Sequence, residues 1–490
     1  MIKKNVILNY GSQAWVALMG VIFVPFYIRF LGEEAYGLIG FFTAVSILLH
    51  TISMGIIPTL TREMTKIGNG SGVEQEILDL RFSFEFFAII GALSISGVFF
   101  ILSELIAIDW LKPEKISFAT VAYSVQLMGV IISTRLVEAI YRSTLIGLGQ
   151  ISAFASVTAV MATIRGAGAI LVLYLSHGSV LAFFGWNLAT TLVTLISLKF
   201  LVTRKLRPLN LRGKFNLSSM RGIKQFAFGM MVVSISGSIY TQVDKFLLSS
   251  FMSLSGYGIY IIASNLAGIV FMAVSPLTQA IYPELSKLYF EGKNKEFRRL
   301  YIWSVKLVII LTGTLGFSFA FNAHDILSIW MGNSAIDHDT ELVFIVLCIS
   351  SIINSLSWIP QQAQFSIGQT SSTIKINTLC SVFLLILMFP IFTNFGVLGC
   401  AALLMMTNII YLIFYLIITK QYFIQTGFSK FLTLEVSFPL VVCCLCLLIW
   451  KAIFGFVVVD LHIVIQLILS ASTTVLFLLI VFKFQTKFKV

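Results

Sequence analysis

The chain has 490 residues, of which 58% are hydrophobic and only 11% are charged, and its mean hydropathy is +0.97. A soluble domain carries about 25% charged residues, so this composition excludes a soluble globular enzyme, a disordered protein and a nucleic-acid-binding module. The formal net charge of +12 is typical of basic cytoplasmic loops that hold a membrane protein in its orientation.

The hydrophobic windows predict an all-α polytopic membrane protein. A spanning helix needs about 20 apolar residues, so about fourteen helices fit the length of this chain. Windows of helical length interrupted by proline and small residues are typical of membrane helices. In chain order, the predicted spans cover residues 8–30, 36–57, 82–103, 116–137, 151–175, 179–202, 224–248, 256–279, 301–321, 341–363, 372–393, 396–419, 432–452 and 461–482.

Lysine and arginine are distributed unevenly among the loops between these spans. When the N-terminus is placed in the cytoplasm, most basic residues fall in cytoplasmic loops, as the positive-inside rule requires. The sequence therefore predicts that both termini are cytoplasmic. The longest cytoplasmic connection, residues 204–223, is strongly basic. We interpret it as an inter-lobe linker whose charges face solvent and lipid headgroups, with a regulator site as the alternative.

Transporters often contain internal repeats, and short motifs recur here at an offset of about 220 residues. An even number of predicted spans separates the members of each pair, so the repeats run in parallel through the membrane. The matched pairs are Tyr36-Gly37 with Tyr257-Gly258, Glu63 and Lys66 with Glu284 and Lys287, Gly149 with Gly368, and Gly178 with Gly396.

This repeat predicts the domain organisation. We expect an N-lobe over residues 1–203, the basic linker over 204–223, and a C-lobe over 224–420. Two additional C-terminal spans and a tail then occupy residues 421–490. Each lobe contains six predicted helices.

The sequence resembles a known group of transporters in two places. The run Pro25-Phe-Tyr-Ile-Arg29-Phe-Leu-Gly-Glu-Glu-Ala-Tyr36-Gly37 is similar to the start of Wzx-type polysaccharide flippases. The same is true of Val243-Asp244-Lys245-Phe-Leu-Leu, which is followed by Tyr257-Gly258-Ile-Tyr260. These flippases belong to the multidrug/oligosaccharidyl-lipid/polysaccharide exporter superfamily, whose fold has two six-helix lobes around a central cavity.

The resemblance implies a bacterial inner-membrane flippase. Its substrate would be an undecaprenyl-diphosphate-linked oligosaccharide, moved from the cytoplasmic to the periplasmic leaflet by alternating access for O-antigen or capsule synthesis. Membrane lipids, a polysaccharide polymerase and chain-length machinery are the implied partners. A multidrug or cation antiporter of the same superfamily remains an alternative, and a membrane glycan polymerase or ligase is a third.

Charges inside predicted spans are the candidate functional residues, because intramembrane charge is costly and usually functional. Arg165 lies near the middle of the fifth span, either as a phosphate ligand or paired with an acid on another helix. Arg135, Glu138 and Arg142 share one face of the fourth span. Its arginines are interpreted as substrate ligands steadied by Glu138, or as an interfacial cluster. Arginine suits a diphosphate because its planar fork pairs with phosphate oxygens.

Three further charges are candidates. Arg62, at the inner end of the second span, is a possible substrate ligand, and Lys245 is either a headgroup ligand or a snorkelling lysine. Asp244 is interpreted as an ion-coupling acid or as part of a salt bridge between the lobes. Asp244 and Lys245 are sequence neighbours and are expected to point in different directions.

Enzymatic signatures are missing from the sequence. It contains neither a phosphate-binding P-loop nor a Gly-x-Ser-x-Gly nucleophile elbow. The cysteines and histidines form no metal-binding spacing. We therefore expect a transporter without catalytic residues, metal or cofactor.

Overall fold

The computed structural model describes residues 2–67, 74–211, 213–217, 224–331, 336–368, 371–423, 436–456, 469–470 and 472–475. Within this part of the chain the regular secondary structure is entirely helical. The helices are α1 Ile2–Ile22, α2 Val24–Ile67, α3 Glu74–Leu105, α4 Phe118–Gly147, α5 Ile151–Leu175, α6 Val180–Leu206, α7 Lys224–Phe251, α8 Leu254–Met272, α9 Ser275–Phe290, α10 Asn294–Phe321, α11 Ala323–Met331, α12 His338–Leu356, α13 Trp358–Ser366, α14 Ser371–Phe423 and α15 Phe438–Phe456.

The predicted all-helical membrane fold is confirmed, but the number of spans is not. Nine helices among the described residues are long and apolar enough to cross a membrane. One of them, Ser371–Thr419, contains two predicted spans, which meet where Gly396 interrupts the helical backbone. The last predicted span, 461–482, lies mostly outside the described residues. The count of fourteen therefore stays a prediction.

Helix ends follow local sequence signals. Ser117, Ser179 and Asp337 stand immediately before α4, α6 and α12, and each side chain accepts a hydrogen bond from a backbone N–H in the first turn. Short oxygen-bearing side chains are the preferred N-caps, because they satisfy donors that have no partner inside the helix. The cap at Ser117 sets where α4, which carries Arg135, Glu138 and Arg142, begins.

The chain divides into two compact units, Met1–Ile259 and Tyr260–Val490. In the first unit α4 is central, packing against α2, α3 and α6, while α1 packs against α5 and α7 against α2. In the second unit α12 packs against α10 and α14, and α15 packs against α10. By packing, α7 thus belongs with the first unit, although the repeat places it at the start of the second. The four predicted sequence segments remain a prediction.

Residues matched by the repeat have the same local geometry. Lys66 forms an ion pair with Glu63, and Lys287 pairs with Glu284 at 3.9 Å, each over one helical turn. The four matched glycines all adopt left-handed backbone conformations, with φ of +72° and +80° in one pair and +81° and +62° in the other. These conformations favour glycine because it lacks a Cβ.

The glycines of the first matched pair meet each other in the first unit. A Cβ added to Gly37 would lie 2.5 Å from the carbonyl oxygen of Leu254 and 3.1 Å from the backbone nitrogen of Gly258. A Cβ on Gly258 would clash with the Glu33 carbonyl. Glycine is therefore required at both positions for the start of α8 to approach α2.

A buried carboxylate, that of Glu34, lies three residues before Gly37 on α2. Glu34 accepts hydrogen bonds from the backbone N–H groups of Glu114 at 2.6 Å and Lys115 at 2.8 Å. Its side chain is only 4% exposed. Because charge-assisted hydrogen bonds are stronger than neutral ones, Glu34 anchors the connection that leads into α4.

Candidate functional site

Three of the predicted substrate-binding arginines line one small cavity in the first unit. The cavity has a volume of about 150 Å³. Arg135 and Arg142 enter it from α4, together with Glu138, and Arg165 enters from α5. His50 of α2 completes the set of titratable side chains. The structure thus joins two separate sequence predictions, the charged face of α4 and the lone arginine of α5, into one site.

Each arginine is held by a different neighbour. The guanidinium of Arg135 lies 5.3 Å from the ring centre of Phe42, and that of Arg142 lies 5.2 Å from the ring of Phe154. Both distances are within the range of cation–π attraction. Nε of Arg165 donates to Oγ1 of Thr190 at 3.3 Å. Aromatic and hydroxyl neighbours orient the guanidiniums without neutralising them.

The charges of this cavity are not internally paired. Among the described residues, no ion pair joins Glu138 to Arg135, Arg142 or Arg165. Nε of Arg142 is buried and makes no hydrogen bond within the described part of the chain. Three guanidiniums against one carboxylate give the cavity a net formal charge of +2 when His50 is neutral. A half-buried group of cations with free donors is suited to bind an anion.

Glu138 of α4 is the acid that lines the cavity together with Arg165, so both interpretations of Arg165, phosphate ligand or partner of an acid on another helix, stay predictions. The described polar contacts of Arg165 are the hydroxyl of Thr190 and, through its backbone carbonyl, the indole N–H of Trp186 at 3.2 Å. Glu138 lines the same cavity without bonding to it. Arg165 therefore faces the cavity as a charged group with spare donors.

Sequence reasoning missed His50. It lies in a strongly apolar stretch of α2 and belongs to no motif, so no residue spacing singles it out. The available signal was its position, because a polar ionisable side chain inside a membrane span is a functional candidate by default. His50 and Arg135 also line a second, larger cavity of about 410 Å³. These two residues therefore form the shared wall of two neighbouring compartments.

The other predicted site residues line neither of these two cavities. The side chain of Arg62 is 61% exposed, and its Nε lies 3.6 Å from Glu63. Lys245 lies 3.2 Å from its neighbour Asp244. The expectation that these two side chains point apart is wrong, because the long lysine side chain folds back around the helix. The roles of Asp244 in ion coupling or a lobe salt bridge, and of Arg62 and Lys245 in substrate binding, stay predictions.

An ion pair on α3 lies beside the site. Nη2 of Arg81 lies 3.0 Å from Oε2 of Glu85, four residues further along α3. Oε1 of Glu85 also accepts a hydrogen bond from the hydroxyl of Tyr141 at 2.5 Å. The hydrogen bond between Tyr141 and Glu85 therefore links α4 to α3. Because Tyr141 directly precedes Arg142, this link holds in place the part of α4 that carries the cationic site.

Comparison with known proteins finds one family that covers more than half of the chain. The model of a family described as "Polysaccharide biosynthesis protein" matches residues 2–289. No curated protein matches this sequence.

Solved structures with a similar fold include transporters of several kinds. The lipid II flippase MurJ, in an inward closed conformation, is 15% identical with a TM-score of 0.69, over 98% of this chain and 99% of that one. An inward-facing multidrug resistance MATE family transporter of the MOP superfamily is 11% identical with a TM-score of 0.70, and the match covers 86% of this chain and 96% of that one. A MOP superfamily transporter from Pyrococcus furiosus is 11% identical with a TM-score of 0.55, and the match covers 87% of this chain and 94% of that one. At these identities the likeness establishes the fold alone.

Proposed function

This chain belongs to the polysaccharide biosynthesis protein family, and from that premise we propose that it is a flippase for lipid-linked oligosaccharides. Its substrate is an undecaprenyl-diphosphate-linked repeat unit, which it moves from the cytoplasmic to the periplasmic leaflet for O-antigen or capsule synthesis. It acts in the bacterial inner membrane with both termini in the cytoplasm. A polysaccharide polymerase and chain-length machinery then use the translocated unit.

The cationic cavity is the observation that carries this proposal. A diphosphate is costly to move through hydrocarbon unless fixed charges and hydrogen bonds replace its hydration. Arg135, Arg142 and Arg165 place three guanidiniums around one small space. Their free donors match phosphate oxygens in geometry and charge.

The mechanism assigns binding and release to the same residues. The diphosphate enters the cavity from the cytoplasmic leaflet while the polyprenyl tail stays in lipid. Glu138 lowers the net charge of the site, so the diphosphate is held but not trapped. Alternating access through movement of the two predicted lobes then exposes the site to the opposite leaflet.

A multidrug or cation antiporter is the second candidate, because transporters of that kind share the fold. The charge of the described cavity argues against it. A cationic drug in this space would meet three arginines and one carboxylate, so repulsion would exceed attraction. A glycan polymerase or ligase has less support, since the similar structures are described as a flippase and transporters.

The deciding experiment is the fate of lipid-linked sugars in a strain that lacks this protein. We expect complete repeat units to accumulate facing the cytoplasm, where a probe added outside the inner membrane does not reach them. Complementation with the unchanged chain restores outward-facing units, and Arg165→Gln does not. Arg204→Gln, which alters an exposed arginine of α6, restores them and is the matched control.

Other outcomes contradict the proposal in different ways. Outward-facing but unpolymerised units would identify a polymerase or ligase. An unchanged lipid profile together with increased drug sensitivity would identify a multidrug transporter.

A further inference from the structure

Part of the basic linker is fixed on the surface of α3. Residues 213–217, which we call the linker strap, run beside the first turns of this helix. The backbone N–H of Lys214 donates to Oδ1 of Asp79 at 2.7 Å, and that of Asn216 donates to Oγ of Ser83 at 2.9 Å. The Ser83 hydroxyl in turn lies 3.3 Å from the Asn216 carbonyl oxygen, to which it donates. The linker strap is therefore a built part of this surface and not a freely solvated loop.

The linker strap adds an aromatic ring to the outer face of α3. The ring centre of Phe215 lies 5.0 Å from that of Phe86 and 5.9 Å from that of Phe87. All three side chains are exposed in the described structure, by 42% to 47%, and only 11% of the apolar window of α3 is buried. A contiguous apolar patch of this kind requires a partner that excludes water. In a membrane helix that partner is hydrocarbon.

This patch lies where α3 enters the apolar part of the membrane. Glu85 is the last charged residue of the helix before Glu104, so residues 86–103 are all uncharged. Because charged side chains are costly in hydrocarbon, Phe86 and Phe87 mark the boundary between lipid headgroups and acyl chains. The linker strap therefore lies at the depth of the headgroups.

The charge at this boundary is positive. Lys214 directly precedes Phe215 and is exposed. Arg207 is also exposed, and it follows Leu206, which packs against the hydrophobic cluster at the same end of α3. The linker contains no acidic residue, and neither of these two cations forms an ion pair among the residues that the structure describes. Basic side chains beside an apolar patch at headgroup depth are complementary to an anionic lipid.

We propose that the linker strap and α3 together bind an anionic phospholipid of the leaflet on the linker side, which is the cytoplasmic leaflet in the proposed orientation. Lys214 and Arg207 pair with its phosphate, and its acyl chains cover Phe86, Phe87 and Phe215. None of these residues lines either cavity described above. The lipid site is thus separate from the cationic cavity, and it does not depend on the proposed flippase function.

Photo-crosslinking of the purified full-length protein in nanodiscs tests this site. The bulk lipid is phosphatidylcholine, and the probe is a small fraction of phosphatidylglycerol with a diazirine on one acyl chain. Phosphatidylcholine with the same label is the reference probe, and peptide mass spectrometry measures how much of Phe86, Phe87 and Phe215 is labelled. We expect several-fold more labelling with the phosphatidylglycerol probe. Lys214→Gln should lower that labelling about 5-fold, as expected for one lysine beside an anionic lipid, and leave labelling by the reference probe unchanged.

Two further variants separate a built site from general charge attraction. Lys115→Gln is the matched control, because it removes another exposed lysine beyond the far end of α3 and should change nothing. Asp79→Ala removes a negative charge, but it also removes the acceptor that holds the Lys214 backbone. We therefore expect it to decrease labelling by the phosphatidylglycerol probe. Thermal unfolding of each variant shows that it is folded.

Three results would overturn the lipid site. Equal labelling by the two probes, or an equal effect of Lys214→Gln and Lys115→Gln, would mean that no anionic lipid is selected. Increased labelling of Asp79→Ala would mean that net charge alone attracts the lipid. If a short-chain polyprenyl diphosphate at equal concentration suppresses the labelling, the surface is a docking place for the transported lipid and the phospholipid assignment is wrong.

Discussion

Replacing Arg142 with glutamine tests directly whether the cationic cavity binds an anion. Arg142 is suited to the test because its guanidinium contacts an aromatic ring and its Nε has no hydrogen-bond partner within the described residues. The substitution removes one charge and keeps a polar, shorter side chain. It breaks no ion pair of the described structure, so the fold loses little.

The size of the cavity sets the expected magnitude. A sphere of 150 Å³ has a radius of only about 3 Å, and all three arginines line the cavity, so we take about 5 Å as the working distance between a bound phosphate and a guanidinium. At an effective dielectric constant of about 20, one unit charge at that distance contributes about 3 kcal/mol. Hydrogen bonds to charged groups are worth about 1.5–3 kcal/mol net. We therefore expect Arg142→Gln to weaken anion binding about 10- to 150-fold.

The assay is titration of the purified full-length protein with inorganic pyrophosphate, followed calorimetrically at low and at physiological salt. Arg204→Gln is the control, because it removes an arginine from the exposed end of α6. Glu138→Gln tests the sign, since removing the carboxylate raises the net charge of the cavity. It should tighten binding of the same anion. Thermal unfolding of each variant confirms that it is folded.

The anion-binding role of the cavity is refuted if Arg142→Gln and Arg204→Gln weaken pyrophosphate binding equally. In that case the effect would be a general surface attraction and not a site. It is also refuted if Glu138→Gln weakens binding, because the carboxylate would then be a necessary part of the ligand set.

Three further predictions concern the fold and the exposed candidate Arg62. Glu34→Gln replaces a carboxylate that accepts two backbone N–H groups with an amide that has one acceptor oxygen. It should lower the free energy of unfolding by about 1.5–3 kcal/mol. In thermal unfolding, the unfolding temperature should decrease clearly more than it does for the neighbouring substitution Glu33→Gln. Gly258→Ala forces a Cβ against the Glu33 carbonyl and should lower the unfolding temperature, whereas a change within experimental error would mean that α8 shifts freely. Arg62→Ala changes an exposed residue, so this variant should still translocate repeat units in the leaflet assay. If translocation is lost, Arg62 is a substrate-binding residue.

Local patterns were enough to predict the all-helical membrane fold, and the repeat they contain coincides with positions of unusual backbone geometry. Apolar runs must be helical in lipid, because no water satisfies their backbone groups there. The matches of Gly149 with Gly368 and of Gly178 with Gly396 marked positions where the backbone is left-handed in both halves. Such features depend on a few neighbouring residues, so they can be recognised in the chain itself.

The composition of the candidate site depended on contacts between distant segments. The sequence singled out Arg135, Arg142 and Arg165 as intramembrane cations, but it equally favoured Arg62 and Lys245. Nothing in one helix shows which of its faces meets another helix. The packing of α2, α4 and α5 brought three of these cations together with His50.

The sequence alone therefore establishes an all-helical membrane protein with an internal repeat and a small set of costly charges inside its predicted spans. The packing of the helices shows which of these charges share a cavity, which are exposed, and that Glu138 makes no close ion pair with the arginines among the described residues. The difference lies in how far apart along the chain the interacting residues are. Helix formation and backbone conformation are determined by residues close together in sequence, whereas the charge of a cavity is the sum over side chains that meet only after the helices pack.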